Sequence, residues 1–199
     1  MTLTSCEIQD KILEFALEDV AFDGWVWPVI EGAAEKAGFE KNMAEAVFPE
    51  KIQDCLTHFA DWADRGMLLA LDQLDYEPLR IRDKIELSVK TRLEFLSEHK
   101  EAVKLSSSYW THPFRKFQAM KIIWRTADVI WKKAGDNATD YNHYTKRGLL
   151  SGVIISTTLV WLSDESKNHA DSYEFLSRRI ENVLQFGKVV HKMKPSKAS

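Results

Sequence analysis

The side chains able to ligate a metal or act as base or nucleophile are few and scattered. Histidines stand at His58, His99, His112, His143, His169 and His191, and the two cysteines are Cys6 and Cys55. No Cys-x-x-Cys, HExxH, GxSxG or glycine-rich phosphate loop occurs, and no repeated ExxH pair marks a di-iron bundle. Asp140-x-x-His143 supplies two ligands at helical spacing, but nothing in the sequence completes a metal set. No catalytic or metal site is expected, and the chain reads as a non-enzyme. Two isolated thiols fit a reduced compartment and a structural role.

The residues that do fall into a pattern lie between 134 and 147. Thr139 or Asp140 is a natural N-cap. Behind it, Tyr144, Arg147 and Ser151 follow one another at spacings of three and four, with Asp140, His143 and Arg147 on a neighbouring strip. By themselves these residues fit a solvated helix face with its cap, or a recognition surface. The helix carrying them continues into the longest uncharged run, 16 residues from Gly148 to Ser163. A membrane span needs roughly 20 residues, so the run reads as a buried helix. Leu149, Leu150, Val153, Ile154, Ile155, Leu159, Val160 and Trp161 cover nearly every direction on it, which predicts a helix surrounded by other helices or by a ligand.

The elements around this segment all read as helix. Thr4-Ser-Cys-Glu7 has capping-box spacing and opens a first helix to about Val20, ended by Phe22-Asp23-Gly24. Pro28 suits the first turn of a second, which runs to Ala37 and stops at Gly38. A short third covers about Met43–Val47. Longer helices follow: one from near Glu50, one with the stripe Ile81, Ile85, Val89, Leu93 and Leu96, a short one from Lys100, one opened by Pro113 and closed by Gly135, the apolar helix over 140–163, and a last one started by Asp171-Ser-Tyr-Glu174. The expected organisation is an all-α protein with a helix-turn-helix-like unit over 1–48, a helical bundle over 49–187 and a basic flexible tail over 188–199.

Charge is uneven. The net charge is −3. From Arg178 onward six basic residues face one acid, Glu181, so this end carries +5 and residues 1–177 carry −8. An acidic body disfavours nucleic-acid binding; a basic end suits an anionic membrane surface or a plain solvated terminus. The start of the chain has neither the apolar segment of a secretory signal nor an Arg-rich transit-like stretch.

Two resemblances add to this. Gly24, Ala33-Ala34, Ala37-Gly38 and Phe48 resemble the first three helices of the TetR regulators. The third helix of that family enters the major groove on polar and basic side chains, whereas here it reads Lys41-Asn42-Met43-Ala44-Glu45-Ala46-Val47-Phe48. Trp25, Trp27 and Pro28 stand where backbone-contacting polar residues are expected. The fold is therefore expected without the DNA chemistry; a TetR-type regulator sensing a lipid is the alternative.

The run Ala134-Gly-Asp-Asn-Ala-Thr-Asp-Tyr-Asn-His-Tyr-Thr-Lys-Arg147, with Gly148–Trp161, Asp164-Glu-Ser166 and Phe175–Asn182 after it, resembles the ubiquinone biosynthesis accessory proteins, a lipid-binding family of TetR-like fold. The resemblance spans about 8–187 and is closest over 124–183. It implies docking of the pathway's di-iron hydroxylase on Asp140, Asn142, His143, Tyr144 and Arg147; some members have Trp where this chain has His143. It implies a lipid or isoprenoid quinone intermediate held by Trp124, Trp131, Leu149, Val153, Ile154, Thr157 and Trp161, with no other cofactor. It further implies a homodimer and a peripheral place at a membrane. A bacterial cytoplasmic protein at the inner membrane is expected ahead of a mature mitochondrial one.

Overall fold

The computed structural model describes residues 3–136 and 141–193. It is helical, with no strand among the described residues. The helices are α1 (Ser5–Asp23), α2 (Trp27–Lys36), α3 (Asn42–Val47), α4 (Ile52–Leu71), α5 (Ile81–Phe95), α6 (Lys100–Trp110), α7 (Lys116–Lys133), α8 (Tyr141–Leu162) and α9 (Ala170–Met193). Pro113 begins a single 3-10 turn, Pro113–Arg115, ahead of α7 rather than α7 itself. The last helix extends to Met193, past residue 188, where a flexible tail was expected to begin.

The chain divides into two compact units. The first holds residues 1–70 and 94–122, the second 71–93 and 123–199. The helix-turn-helix-like segment over 1–48 thus shares its unit with most of α4 and with α6.

In the first unit the capping box forms as its spacing predicts. The Glu7 N–H donates to Thr4 Oγ1 at 3.3 Å, and the Thr4 N–H donates to Glu7 Oε2 at 2.7 Å. Helix α1 packs on α2 and α3 through Ile12, Leu13, Ala16, Leu17 and Val20. Ala33 and Ala34 are wholly buried on α2, where small side chains let two helices approach closely. Gly38 ends α2 at φ 83°, a conformation that costs glycine nothing. With it, the N–H of Phe39 reaches Ala34 O at 2.9 Å and that of Gly38 reaches Glu35 O at 3.0 Å, the paired bonds of a Schellman cap.

An aromatic row runs through this unit. Trp25 is buried, donates from Nε1 to the Ala102 carbonyl at 3.0 Å and meets Phe59 at 5.3 Å between ring centroids. Phe59 stacks on Trp62 at 6.2 Å, and Trp62 meets Phe95 at 4.6 Å and His99 at 5.5 Å. Trp25 is therefore a core anchor and not part of a DNA-facing surface. The Phe95 ring lies directly against the α4 backbone at Gly66, occupying the space a Cβ would take. Gly66→Ala is expected to push Phe95 out of the row and destabilise the protein by about 1–3 kcal/mol. A thermal melt followed by circular dichroism checks this; an unchanged midpoint would mean that the ring yields freely.

Candidate functional site

The site is built on the end of α7 and the start of α8, in the second unit. Trp131, Lys132 and Lys133 close α7. Gly135 then takes φ 93°, its N–H bonding to Lys132 O at 3.0 Å while the Asp136 N–H bonds to Trp131 O at 2.9 Å. This Schellman cap satisfies carbonyls the helix end would leave open. It also fixes where Asp136 points. Ala134-Gly135-Asp136 thus has a local reason: a buried Ala, a glycine for the left-handed step, and a carboxylate aimed at α8.

What Asp136 meets is Arg147. The guanidinium donates from Nη1 to Asp136 Oδ2 at 3.1 Å and from Nε to Asp128 Oδ1 at 2.6 Å, and Nη1 also reaches the His143 carbonyl at 3.3 Å. Lys146 adds a bond to Asp136 Oδ1 at 2.6 Å, and Lys132 pairs with Asp128 Oδ2 at 2.7 Å. Two carboxylates and three cations form one network, with Arg147 at its centre only 1 % exposed. Trp131 reinforces the crossing: its Nε1 donates to the Lys146 carbonyl at 3.1 Å, and the Lys146 ammonium stands 5.2 Å from the ring centroid. Burial raises the pKa of both Asp128 and Asp136. The bonds from lysine and from Arg147, with their charge, outweigh that and hold both carboxyls below the usual carboxylate range.

Above the network stands Tyr144, 63 % exposed. Its ring lies 6.2 Å from Trp124 and 5.2 Å from His143. Gly148, one turn on, has Trp124 as its nearest neighbour, where an added Cβ would make ordinary contact at 3.9 Å. Of the described residues expected to dock a partner, Tyr144 is exposed, His143 is half-buried and Arg147 is interior. Asp140 and the side chain of Asn142 lie outside the described residues. Arg147 is drawn inward because α7 and the cap that follows it place two carboxylates against it, which spacing along α8 does not reveal.

The residues expected to hold a lipid split into two groups. Trp124 and Trp131 are half-buried at the α7–α8 crossing. Val153, Ile154, Thr157 and Trp161 are buried along the inner side of α8, with Leu149 half-buried beside them. The Thr157 hydroxyl is fully buried without a hydrogen-bond partner among the described residues. The helix is not apolar-covered all round, however. Gly148, Gly152, Ile155 and Leu159 form an exposed stripe, so one face of α8 is open in the single chain.

Asp164 organises the turn into α9. Its carboxylate accepts from the Ser166 N–H at 2.7 Å, from the Ser172 N–H at 2.9 Å and from the Ser172 hydroxyl. Burial raises its pKa, and these bonds more than reverse the effect, leaving it far below the usual range. The Asp164-Glu-Ser166 motif is thus a cap for the last helix.

One cluster in the first unit escaped the sequence reading. Cys6, Asp10 and His58 bring their donor atoms within 4.8 Å of one another. Arg65 grips both Asp10 oxygens, at 2.6 and 2.8 Å, while His58 Nε2 lies 2.7 Å from Oδ1. Burial lowers the His58 pKa more than Asp10 raises it, favouring the neutral ring. The arrangement is an ion-pair lock joining α1 to α4. Cys6 and Asp10 are four apart on α1, but nothing in the sequence pairs them with His58 and Arg65.

These features define a class, an all-α protein of TetR-like fold whose signature motifs form the α7–α8 crossing. A solved TetR transcriptional regulator from Nitrosomonas europaea superposes with a TM-score of 0.70 at 18 % identity, covering 89 % of this chain and 98 % of that one. Residues 117–187 match the COQ9 family. The mitochondrial ubiquinone biosynthesis protein COQ9 of Bos taurus and that of Homo sapiens are each 27 % identical over 195 residues, covering 94 % of this chain and 61 % of theirs. The Drosophila melanogaster protein is 28 % identical over 182 residues, covering 89 % of this chain and 56 % of its own. The chain thus spans about three-fifths of the length of the curated relatives it matches. The resemblance read from its motifs is borne out: the fold is TetR-like, and the chain is similar to the COQ9 proteins, with the family match over residues 117–187. No helix among the described residues is long and apolar enough to cross a membrane.

Removing Arg147 takes away the one cation that Asp128 and Asp136 share and leaves each with its lysine alone. Arg147→Ala is expected to cost about 3 kcal/mol, the penalty of breaking an interior ion pair, while Tyr144→Ala leaves the melting temperature nearly unchanged. Because Asp128, Asp136 and Asp164 all have depressed pKa values, the stability they contribute is complete above the ordinary carboxylate pKa of about 4 and is lost as pH falls below it. Melts across that window should show a steep acid decline, shallower in Arg147→Ala; equal slopes would mean that the network does not couple to folding.

Proposed function

We propose that this protein is a non-catalytic accessory factor of ubiquinone biosynthesis, which binds a polyprenylated intermediate and presents it to a partner hydroxylase. The observation that carries this reading is the rigid crossing around Arg147. It lies within the stretch matched by the COQ9 family and holds one large aromatic, Tyr144, out in solvent. Tyrosine is favoured at binding hot spots because it buries a large area at small entropic cost. A fixed helix pair beneath it keeps that cost low.

The lipid part of the reading rests on α8. Val153, Ile154 and Trp161 are apolar and buried, and the Thr157 hydroxyl among these positions has no hydrogen-bond partner among the described residues. An unsatisfied interior hydroxyl costs about 1–3 kcal/mol unless something answers it, and the polar head of a prenylated ring is one such group. Each buried methylene of an isoprenoid tail adds about 0.8 kcal/mol. The open stripe Gly148, Gly152, Ile155 and Leu159 suits a second copy of this chain, since small and apolar residues let two helices approach closely.

Regulation of transcription is less well supported. Among the residues of α3, Asn42, Glu45 and Ala46 face solvent, and none is basic. Lys41, just before the helix, pairs with Glu31 at 3.3 Å.

Docking is tested by Tyr144→Asp. The variant should fold like the parent yet lose co-purification with the di-iron hydroxylase of the same organism by at least about tenfold, as expected for an aromatic hot spot. Retained co-purification would place the partner elsewhere.

A further inference from the structure

The corner between α6 and α7 exposes aromatics that the first unit does not bury. Phe114 is 92 % exposed, Phe117 73 % and Met120 50 %. Phe117, Met120 and Lys121 are three and four apart at the start of α7, so they share one face. Lys121 extends over the Phe117 ring at 4.6 Å, and the Arg115 guanidinium lies 3.7 Å over Tyr109, next to Trp110. From Ala102 to Ala127 the chain has no acidic residue but contains Lys104, Arg115, Lys116, Lys121 and Arg125. In a protein with net charge −3 this is a local reversal of sign.

Each feature has a counterpart in interfacial membrane binding. Exposed Phe and Met supply insertable apolar area, Tyr and Trp sit well at the headgroup level, and lysine side chains reach lipid phosphates while their stems stay apolar. Phe22 is a useful contrast. It is 89 % exposed as well, but it stands beside Asp23 and close to Asp19, which an anionic surface would repel.

We propose that the corner over 109–121 is a membrane-docking surface, inserting Phe114, Phe117 and Met120 into the headgroup–acyl boundary of an anionic bilayer with Lys116 and Lys121 on its phosphates. Charge complementarity selects this occupant: a neutral protein groove would satisfy the aromatics but not the acid-free basic surround. The surface differs from the basic C-terminal end and does not depend on whether the chain carries a lipid inside.

The test is co-sedimentation of the whole chain with phosphatidylcholine vesicles, with and without phosphatidylglycerol. The parent should bind the anionic vesicles and bind neutral ones weakly. Phe114→Ser with Phe117→Ser should lower anionic binding about tenfold or more. Lys116→Glu with Lys121→Glu should lower it at least as much, at about fivefold per basic residue lost. Phe22→Ser should bind like the parent. All four substituted side chains in the corner are exposed, so melting temperatures should hold. Failure of the parent to bind, or binding by both double variants at the parental level, would overturn the proposal. So would a change in oligomeric state in the Phe variant by light scattering, which would make the corner a protein–protein contact.

Discussion

A guanidinium in a protein interior is tolerable only when its charge is answered, and in this molecule Arg147 is answered twice. Asp128 comes from the middle of α7 and Asp136 from just beyond its cap. The two carboxylates therefore fix both the position and the rotation of α8 against α7. Everything proposed for the second unit depends on that constraint: Tyr144 is held outward, Trp124 and Trp131 are held at the crossing, and the inner face of α8 is turned toward the core. Interior ion pairs often contribute little net stability compared with an apolar substitute, but they specify one geometry. Here that geometry lies within the stretch that COQ9 shares.

Much of the fold was legible because it rests on local chemistry. The Thr4–Glu7 capping box, the glycines at 24, 38 and 135, and the prolines at 28 and 113 are read from neighbours along the chain, and the helices begin and end close to where those residues say. The uncharged run at 148–163 was rightly a helix too short to span a membrane.

The parts that were not legible are those set by distant residues. Spacing along α8 placed Arg147 on a strip with His143, but its partners lie 19 and 11 residues earlier, so its burial was invisible. Trp25 looked like a surface residue misplaced from a DNA-binding face until Ala102 supplied its acceptor. His58 appeared isolated, although Asp10 and Arg65 meet it across two helices. Composition suggested that α8 would be covered on all sides, but hydrophobicity cannot say whether a neighbour belongs to the same chain. Its open stripe became visible only once the helices were packed.

The central claim is that the inner side of α8 accommodates a lipid whose polar head reaches Thr157. The most direct measurement is mass spectrometry of the organic extract from gently purified protein. The account predicts a prenylated quinone intermediate or another lipid at near one per chain, reduced in Thr157→Val while that variant stays folded. A well-folded protein that yields no lipid above background, and takes up none when offered, would contradict it.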